Sequence, residues 1–232
     1  MRAPPVPVPR GLLRSVPIFA GLDAASVEAL ERRCEVRSFQ EGALVVSEAE
    51  PGEALFVLAR GKVKVVLYGE SGREVILSIF SRVGDVFGEM ALLDDAPRSA
   101  TVQAIEPSTL LVLSRADFRA QVDRHPSIAL EVMAELTRRL RSADAIIGDL
   151  ALLDVFGRLA AKLRSLAERE GEETEAGILI RQRPTQAEIA AMIGTSRETV
   201  SRALSELARR GDVVMTGKRL LIRRGPLLGH GA

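Results

Sequence analysis

Between residues 36 and about 113, apolar residues come in short runs, at 55–59, 63–68, 75–80, 100–105 and 109–113, separated by glycine or proline. Runs of this length, punctuated by Gly61, Gly69, Gly72 and Gly84, predict an antiparallel β barrel or roll. Ahead of it, Asp23 is placed to cap a helix whose Val27, Leu30 and Cys34 keep helical spacing. Beyond it, Pro126 opens a long helix in which Met133, Leu136, Leu140, Ala143, Ile147 and Leu150 recur at alternating steps of three and four. So narrow an apolar seam asks for a partner helix, and a parallel homodimer supplies one. The alternative, a stripe covering the chain's own β-domain, competes with Ile128, Val132 and Ile146, which already form a second apolar face for that purpose.

Gly148 and Asp149 near the end of this helix, followed by Asp154 placed to cap the next from 155 to about 168, mark the domain boundary and a hinge. The acidic, glycine-bounded segment 171–177 reads as a surface loop. Thr185-Gln186-Ala187-Glu188 is a capping box, so a helix begins at Gln186. Its inward face is Ile189, Met192 and Ile193, with Ala190 small enough for a second helix to cross and Gly194 suited to a left-handed turn. Ser196 then caps a helix burying Val200, Leu204 and Leu207, which completes a helix-turn-helix. Runs at 213–215 and 220–222, turning at Gly217-Lys218, predict a wing. The first turn of the second helix offers Arg197 and Glu198 and, one turn on, Arg202. Arginine matches guanine O6 and N7, and glutamate accepts from cytosine N4. Thr185, Gln186, Ser196 and Thr199 are candidate contacts to DNA phosphates, with Lys218 near the backbone from the wing.

Charge separates these two halves. The 232 residues carry a net charge of only +1, yet from Arg181 onward ten Lys and Arg stand against four acids, +6, which leaves −5 for the rest. A basic C-terminal module on a mildly acidic body is the electrostatic footprint of a nucleic-acid-binding domain, although a solvated basic face would carry the same charge. The composition, 47% hydrophobic without tryptophan, suits an aliphatic core. One cysteine and two histidines, His125 at a helix boundary and His230 in a glycine-rich tail, cannot supply an iron–sulfur cluster or a structural zinc site. No apolar run is long enough for a bilayer span or a signal-peptide core, which points to the cytoplasm.

The run from Gly88 through Glu89, Met90 and Ala91 to Arg98 and Ser99 carries the chemistry of the N-terminal half. A buried cyclic phosphodiester needs a cation, hydrogen-bond donors and a backbone free to approach. Arg98 offers a planar fork of donors, Ser99 a hydroxyl, Gly88 close approach, and Glu89 an acceptor for a ribose hydroxyl. A helical turn over 89–93 would point free N–H groups at the anion. The competing reading has Arg98 paired with Glu89 or Asp95 beneath a β-hairpin, holding a shape and no ligand.

These residues resemble the phosphate-binding cassette of the catabolite-activator and FNR family of transcription regulators. The segment 196–202, the Gly217-Lys218 wing and Leu153-Asp154-Val155 are similar to that family's recognition helix, wing and hinge, so the resemblance runs from Ile18 to Ile222. It implies an α+β chain: an arm at 1–10, a cyclic-nucleotide-binding β-roll at 11–125, a dimerisation helix and hinge at 126–153, a winged helix-turn-helix at 154–224 and a flexible tail at 225–232. Glu89 would hold the ribose, Arg98 and Ser99 the phosphate, and Arg139 would pair with Glu89 and relay occupancy to the dimer seam. It further implies an inverted-repeat operator on double-stranded DNA and contact with RNA polymerase, for which the 171–177 loop is a candidate. Where the family places two hydroxyl residues for the base, this chain has Ala143 and Asp144; the carboxylate is acceptor-only. An acceptor can take the adenine amino group or, better matched, the N1–H and N2–H of guanine; by the resemblance cyclic AMP remains the default effector, with cyclic GMP and cyclic di-GMP as alternatives. Neither a covalent cofactor nor a metal is implied, and no nucleophile–base pair or Walker loop points to an enzyme. Two rival readings remain: a regulator of the same build that binds DNA without nucleotide, and a nucleotide-binding regulatory subunit that docks a protein.

Overall fold

The computed structural model describes residues 11–228; the arm expected at 1–10, and residues 229–232 of the expected tail with His230, lie outside the described residues. Asp23 caps helix α1 (Ala24–Glu31), accepting the Ser26 N–H at 2.8 Å. Glu31, at the end of α1, accepts the N–H groups of Gly11 and Leu13, each at 2.9 Å, which ties down the preceding turns. Cys34 lies beyond the helix end, packed half-buried on the core with its thiol pushed up to about 12 by burial, then by Glu31 and Asp117. A thiol with so little thiolate is a poor nucleophile. Iodoacetamide at pH 8 is expected to alkylate Cys34 slowly in the folded chain and rapidly once urea unfolds it.

The β-roll follows as β1 (Glu35–Phe39), β2 (Leu44–Val46), β3 (Ala54–Tyr68), β4 (Glu74–Phe80), β5 (Val86–Phe87) and β6 (Thr101–Ser114), with the short helix α2 (Met90–Leu93) before β6. All pairings are antiparallel in the order β1-β6-β3-β4, with β2 on β6 and β5 on β3. The runs expected at 55–59 and 63–68 are one strand, as are those at 100–105 and 109–113. Gly61 and Pro107, read as turns in the sequence, sit inside β3 and β6 where their register shifts. Ser108 repairs the interrupted ladder there: its buried Oγ accepts the Lys62 N–H at 3.0 Å and lies 2.7 Å from Glu106 O and 3.1 Å from Lys62 O.

Alternate residues of β3 and β6 serve different cores, as a period of two requires. Phe56, Leu58, Leu110 and Val112 face one cluster, where Phe87 stacks on Phe56 and Phe80. Leu55, Val57, Leu111 and Leu113 face another, built with Val27, Leu30, Phe118 of α3 (Arg115–Arg124), and Ile128 and Val132 of α4 (Ser127–Leu152). On α4 the expected division of faces holds in part: Ile128 and Val132 are buried and Met133, Leu140, Ile147 and Leu150 are at least half exposed, but Leu136, read as part of the seam, packs against the core of the first unit, and Ile146, read on the buried face, is only partly buried. The chain divides into two compact units between Leu140 and Arg141, within α4.

In the second unit Asp154 caps α5 (Val155–Glu170) through the Gly157 N–H at 2.8 Å. The segment expected as a loop is instead a hairpin, β7 (Gly171–Thr174) and β8 (Gly177–Ile180). Gly177 makes its close approach possible: at φ +142, an added Cβ would collide with the Ile222 carbonyl. Helices α6 (Gln186–Ile193) and α7 (Arg197–Arg210) and strands β9 (Val213–Thr216) and β10 (Arg219–Arg223) complete a four-stranded sheet, β7-β8-β10-β9. Leu159, Leu163, Ile189, Val200, Leu204 and Ile222 form its core. Part of the expected tail joins that core, since Pro226–Leu228 forms a 3-10 turn and Leu227 is buried.

Candidate functional site

Gly88 stands between β5 and α2 at φ +87, and a Cβ there would lie 2.6 Å from Arg98 Nη1 and 3.1 Å from the Ala54 carbonyl. Only glycine lets the turn close on the guanidinium in this way. Arg98 is buried and donates through Nη1 to Gly88 O at 2.9 Å and through Nη2 to Ala54 O at 2.8 Å, over the ring of Phe56. It pairs with neither Glu89 nor Asp95 as the competing reading expected; two backbone carbonyls hold its fork instead. Burial draws the guanidinium below its ordinary pKa, a shift opposed by Glu89, Glu50 and Glu53. Such a cation is short of negative charge in direct contact, and its Nε is buried without a hydrogen-bond partner among the described residues.

Glu89 is 2% exposed and takes Arg139 Nη1 on Oε1 at 2.9 Å, while Oε2 is buried without a partner among the described residues. Arg139, from α4, also donates to Val86 O at 2.6 Å and to Glu135 at 2.8 Å, and lies over Phe80. The Arg139–Glu89 pair expected from the resemblance is therefore present. Ala91 is buried; Met90 is exposed, as is Ser99, whose Oγ is 4.0 Å from the Met90 sulfur. The structure thus brings Gly88, Glu89, Arg98 and Arg139 around buried polar atoms that lack partners, and leaves Ser99 open to solvent. Ala143 and Asp144 belong to the second unit, as exposed positions of α4.

Sequence reasoning missed a set of side chains at the other end of α2. Arg115 donates to Gly52 O and Ala91 O, Arg119 to Leu92 O, and both pair with Asp95. No spacing signal marks them, because the partners come from separate elements.

In the second unit the capping box forms as read: Thr185 Oγ1 accepts the Glu188 N–H at 3.2 Å, and Glu188 accepts the Thr185 N–H at 2.6 Å. Gly194 ends α6 at φ +66, and Ser196 caps α7 through the Thr199 N–H at 3.2 Å, its Oγ also 3.0 Å from Thr199 Oγ1. Arg197, Glu198 and Arg202 are exposed on the first turns of α7, and Lys218 on the wing tip; Gln186 is partly exposed. Glu198 is held below the usual carboxylate range by its own helix-start N–H, then by Ser196, Arg197 and Arg202. It is an ionised acceptor on the face expected to read bases. Arg183, which the sequence did not single out, braces the wing: its N–H donates to Lys218 O at 2.9 Å and its guanidinium reaches Gly217 O at 3.4 Å. Arg158 ties the start of α5 to the end of α6, donating to Leu153 O and Ile193 O, each at 2.9 Å. Among the described residues no group of three or more His, Cys, Asp or Glu is placed to hold a metal, and no helix is long and apolar enough to cross a membrane.

Comparison with known proteins agrees with this division. Residues 36–125 match the cyclic nucleotide-binding domain family, and residues 157–228 the Crp-like helix-turn-helix domain family. The chain is 34% identical over 211 residues to the CRP-like cAMP-activated global transcriptional regulator of Mycobacterium tuberculosis, covering 91% of this chain and 94% of the relative. It is 36% identical over 216 residues to the cyclic AMP receptor protein of Thermus thermophilus, covering 93% and 96%. Among solved structures, the c-di-GMP responsive global regulator of Xanthomonas campestris superposes with a TM-score of 0.73 over 88% of this chain and 100% of that one; at 24% identity this likeness concerns the fold alone. Two domain matches in this order, on a chain covered almost end to end by its relatives, place it in the CRP/FNR family of cyclic-nucleotide-responsive transcription regulators.

Proposed function

We propose that this chain is a homodimeric, sequence-specific DNA-binding regulator gated by a cyclic nucleotide, with cyclic AMP as effector and the cytoplasm as its compartment. The observation that carries the reading is that two of the buried polar atoms without partners among the described residues, Glu89 Oε2 and Arg98 Nε, belong to residues of opposite charge flanking α2. A buried polar atom without a partner costs about 1–3 kcal/mol, and a ribose hydroxyl and a cyclic phosphate are the acceptor's and the donor's complements. Arg98 keeps three of its five N–H donors beyond the two carbonyl bonds it makes. Ser99 adds a hydroxyl, and Gly88, Met90 and Ala91 shape the turn. Arg139 would neutralise Glu89 and report its occupancy to α4. The family's curated relatives that are named for cyclic AMP support the choice of nucleotide.

The exposed stripe of Met133, Leu140, Ile147 and Leu150 supports a parallel dimer through α4. A dimer of winged helix-turn-helix modules sets two recognition helices about 34 Å apart, one turn of DNA, and so selects an inverted repeat. Arg197, Glu198 and Arg202 would read bases; Thr185, Gln186, Ser196, Thr199 and Lys218 would hold phosphates. RNA polymerase is the expected partner on the promoter, with the acidic β7–β8 hairpin as the candidate surface. The mechanism is allosteric: the nucleotide shifts the population only by its differential affinity for the two dimer states. One observation favours a second effector. Asp144, where the family has a hydroxyl, is an acceptor suited to the N1–H and N2–H of guanine, which keeps cyclic GMP and cyclic di-GMP in view.

The test is a calorimetric titration with cyclic AMP, cyclic GMP and cyclic di-GMP, followed by affinity for a TGTGA-type inverted-repeat duplex with and without each. Tighter, salt-dependent DNA binding with cyclic AMP is expected; equal DNA affinity under all conditions would replace gating by constitutive binding. On the same duplex Arg202→Ala should weaken specific binding by about 1–3 kcal/mol and leave binding to random DNA nearly unchanged.

A further inference from the structure

The arginine cluster at the far end of α2 has no part in that reading. Arg115 Nη2 donates to the carbonyls of Gly52 at 2.5 Å and Ala91 at 2.8 Å, and Nη1 pairs with Asp95. Its side chain is 18% exposed, and its backbone N–H is fixed on Glu53 O at 2.8 Å. One guanidinium therefore joins the loop before β3, the cassette helix and the acidic link after it. The join at Gly52 bears directly on Arg98. A Cβ on Gly52 would collide with Ala91 and stand 3.4 Å from Arg98 Cζ, so this residue is the spacer between helix and guanidinium, and Arg115 holds its carbonyl. Asp95 adds a second sign of constraint. It is one of two non-glycine residues at positive φ (+57) among the described residues, and its carboxylate is shared by Arg115 and Arg119. A backbone in that region persists where its surroundings hold it.

We propose that Arg115 is the positioning residue of the cassette: by holding Gly52, Ala91 and Asp95 at once it sets the conformation of residues 88–99, and through it the affinity for a cyclic phosphate. The affinity claim rests on the reading of this segment as the phosphate site. Lysine cannot replace it, since a single ammonium on a flexible stem lacks the fixed fork that spans three acceptors.

The experiment compares Arg115→Gln, Arg115→Lys and Asp95→Gly in the full chain, by amide hydrogen exchange without ligand and by calorimetric titration with cyclic AMP. The reporters are the N–H groups of Leu92, Asp94 and Arg98, bonded to the carbonyls of Glu89, Met90 and Glu50. Exchange at these three should rise about tenfold or more in each variant while the β3 and β6 amides stay protected, and cyclic AMP should bind about tenfold more weakly. Asp95→Gly separates positioning from folding. Glycine adopts φ +57 freely, so the thermal midpoint is expected to hold or rise while affinity falls, whereas a merely structural role would make affinity follow stability. Wild-type exchange at the reporters in Arg115→Gln, or wild-type affinity in Asp95→Gly, overturns the proposal. A wild-type chain that takes up no cyclic nucleotide overturns the phosphate-site reading, and the affinity claim with it, whatever the exchange pattern of the variants.

Discussion

An Arg98→Gln variant is expected to lose at least a hundredfold in cyclic AMP affinity, about 3 kcal/mol, and with it the nucleotide dependence of DNA binding. Removing one partner of a buried, charge-assisted contact typically costs about 2–5 kcal/mol, and Arg98 is the buried cation of the cassette. The same guanidinium satisfies the carbonyls of Gly88 and Ala54. Glutamine offers a single amide in place of the fork, so a stability loss of about 1–3 kcal/mol should accompany the binding defect. Arg98→Lys separates the two effects: it keeps the charge and gives up the planar fork, and should recover part of the affinity. Calorimetry and urea denaturation on the same preparations distinguish lost binding from lost fold. An Arg98→Gln chain that titrates like the wild type would move the phosphate site elsewhere.

Gly61→Ala should destabilise the first unit by about 3 kcal/mol or more, combining a strained backbone with overpacking. Gly61 lies at φ +94 within β3, and an added Cβ would sit 2.5 Å from the Pro107 carbonyl oxygen and 2.5 Å from Ser108 Cα, and collide with Ser108 Oγ. These are largely backbone atoms of β6, fixed by the ladder on either side, so the strands would have to part. Gly42→Ala is the control. It too lies at positive φ, +82, but a Cβ there meets nothing within 4 Å. The difference between the two urea midpoints, at equal slope, measures the collision apart from the backbone strain. Equal losses would mean that β3 and β6 can separate at the bulge without cost.

The two Gly residues also show where local reading stops. In the sequence Gly61 is indistinguishable from Gly69 or Gly72, yet Gly72 lies in the turn between β3 and β4, and Gly61 lies in the middle of a strand. A glycine marks a backbone freedom, and whether a turn or a bulge uses it depends on which strand lies opposite. For the same reason 171–177 reads as a loop. Glu172, Glu173 and Thr174 carry no apolar alternation, and they form a strand because β8, itself docked on β10, presents a free edge to them.

Features that rest on contacts within a few residues, or on periodicity, were legible in the chain before it folded. The caps at Asp23, Asp154, Thr185 and Ser196, the left-handed turn at Gly194 and most of the division of α4 into buried and exposed faces follow from spacing; Leu136 and Ile146 are the exceptions. The candidate cassette was legible in the same way, because its residues are concentrated between Gly88 and Ser99. Tertiary structure alone decided which partner each charge takes. Arg98 turns to the carbonyls of Gly88 and Ala54 rather than to Glu89 or Asp95, and Asp95 is shared by Arg115 and Arg119; even the Glu89–Arg139 pair, 50 positions apart, came from the resemblance and not from the spacing of the residues. An ion pair needs only charge and proximity, and a sequence in which 27% of residues are charged offers too many matches for composition to choose among. The choice is made when the strands register and α2 docks, because only then do the low-exposure positions exist in which one pairing is worth more than another.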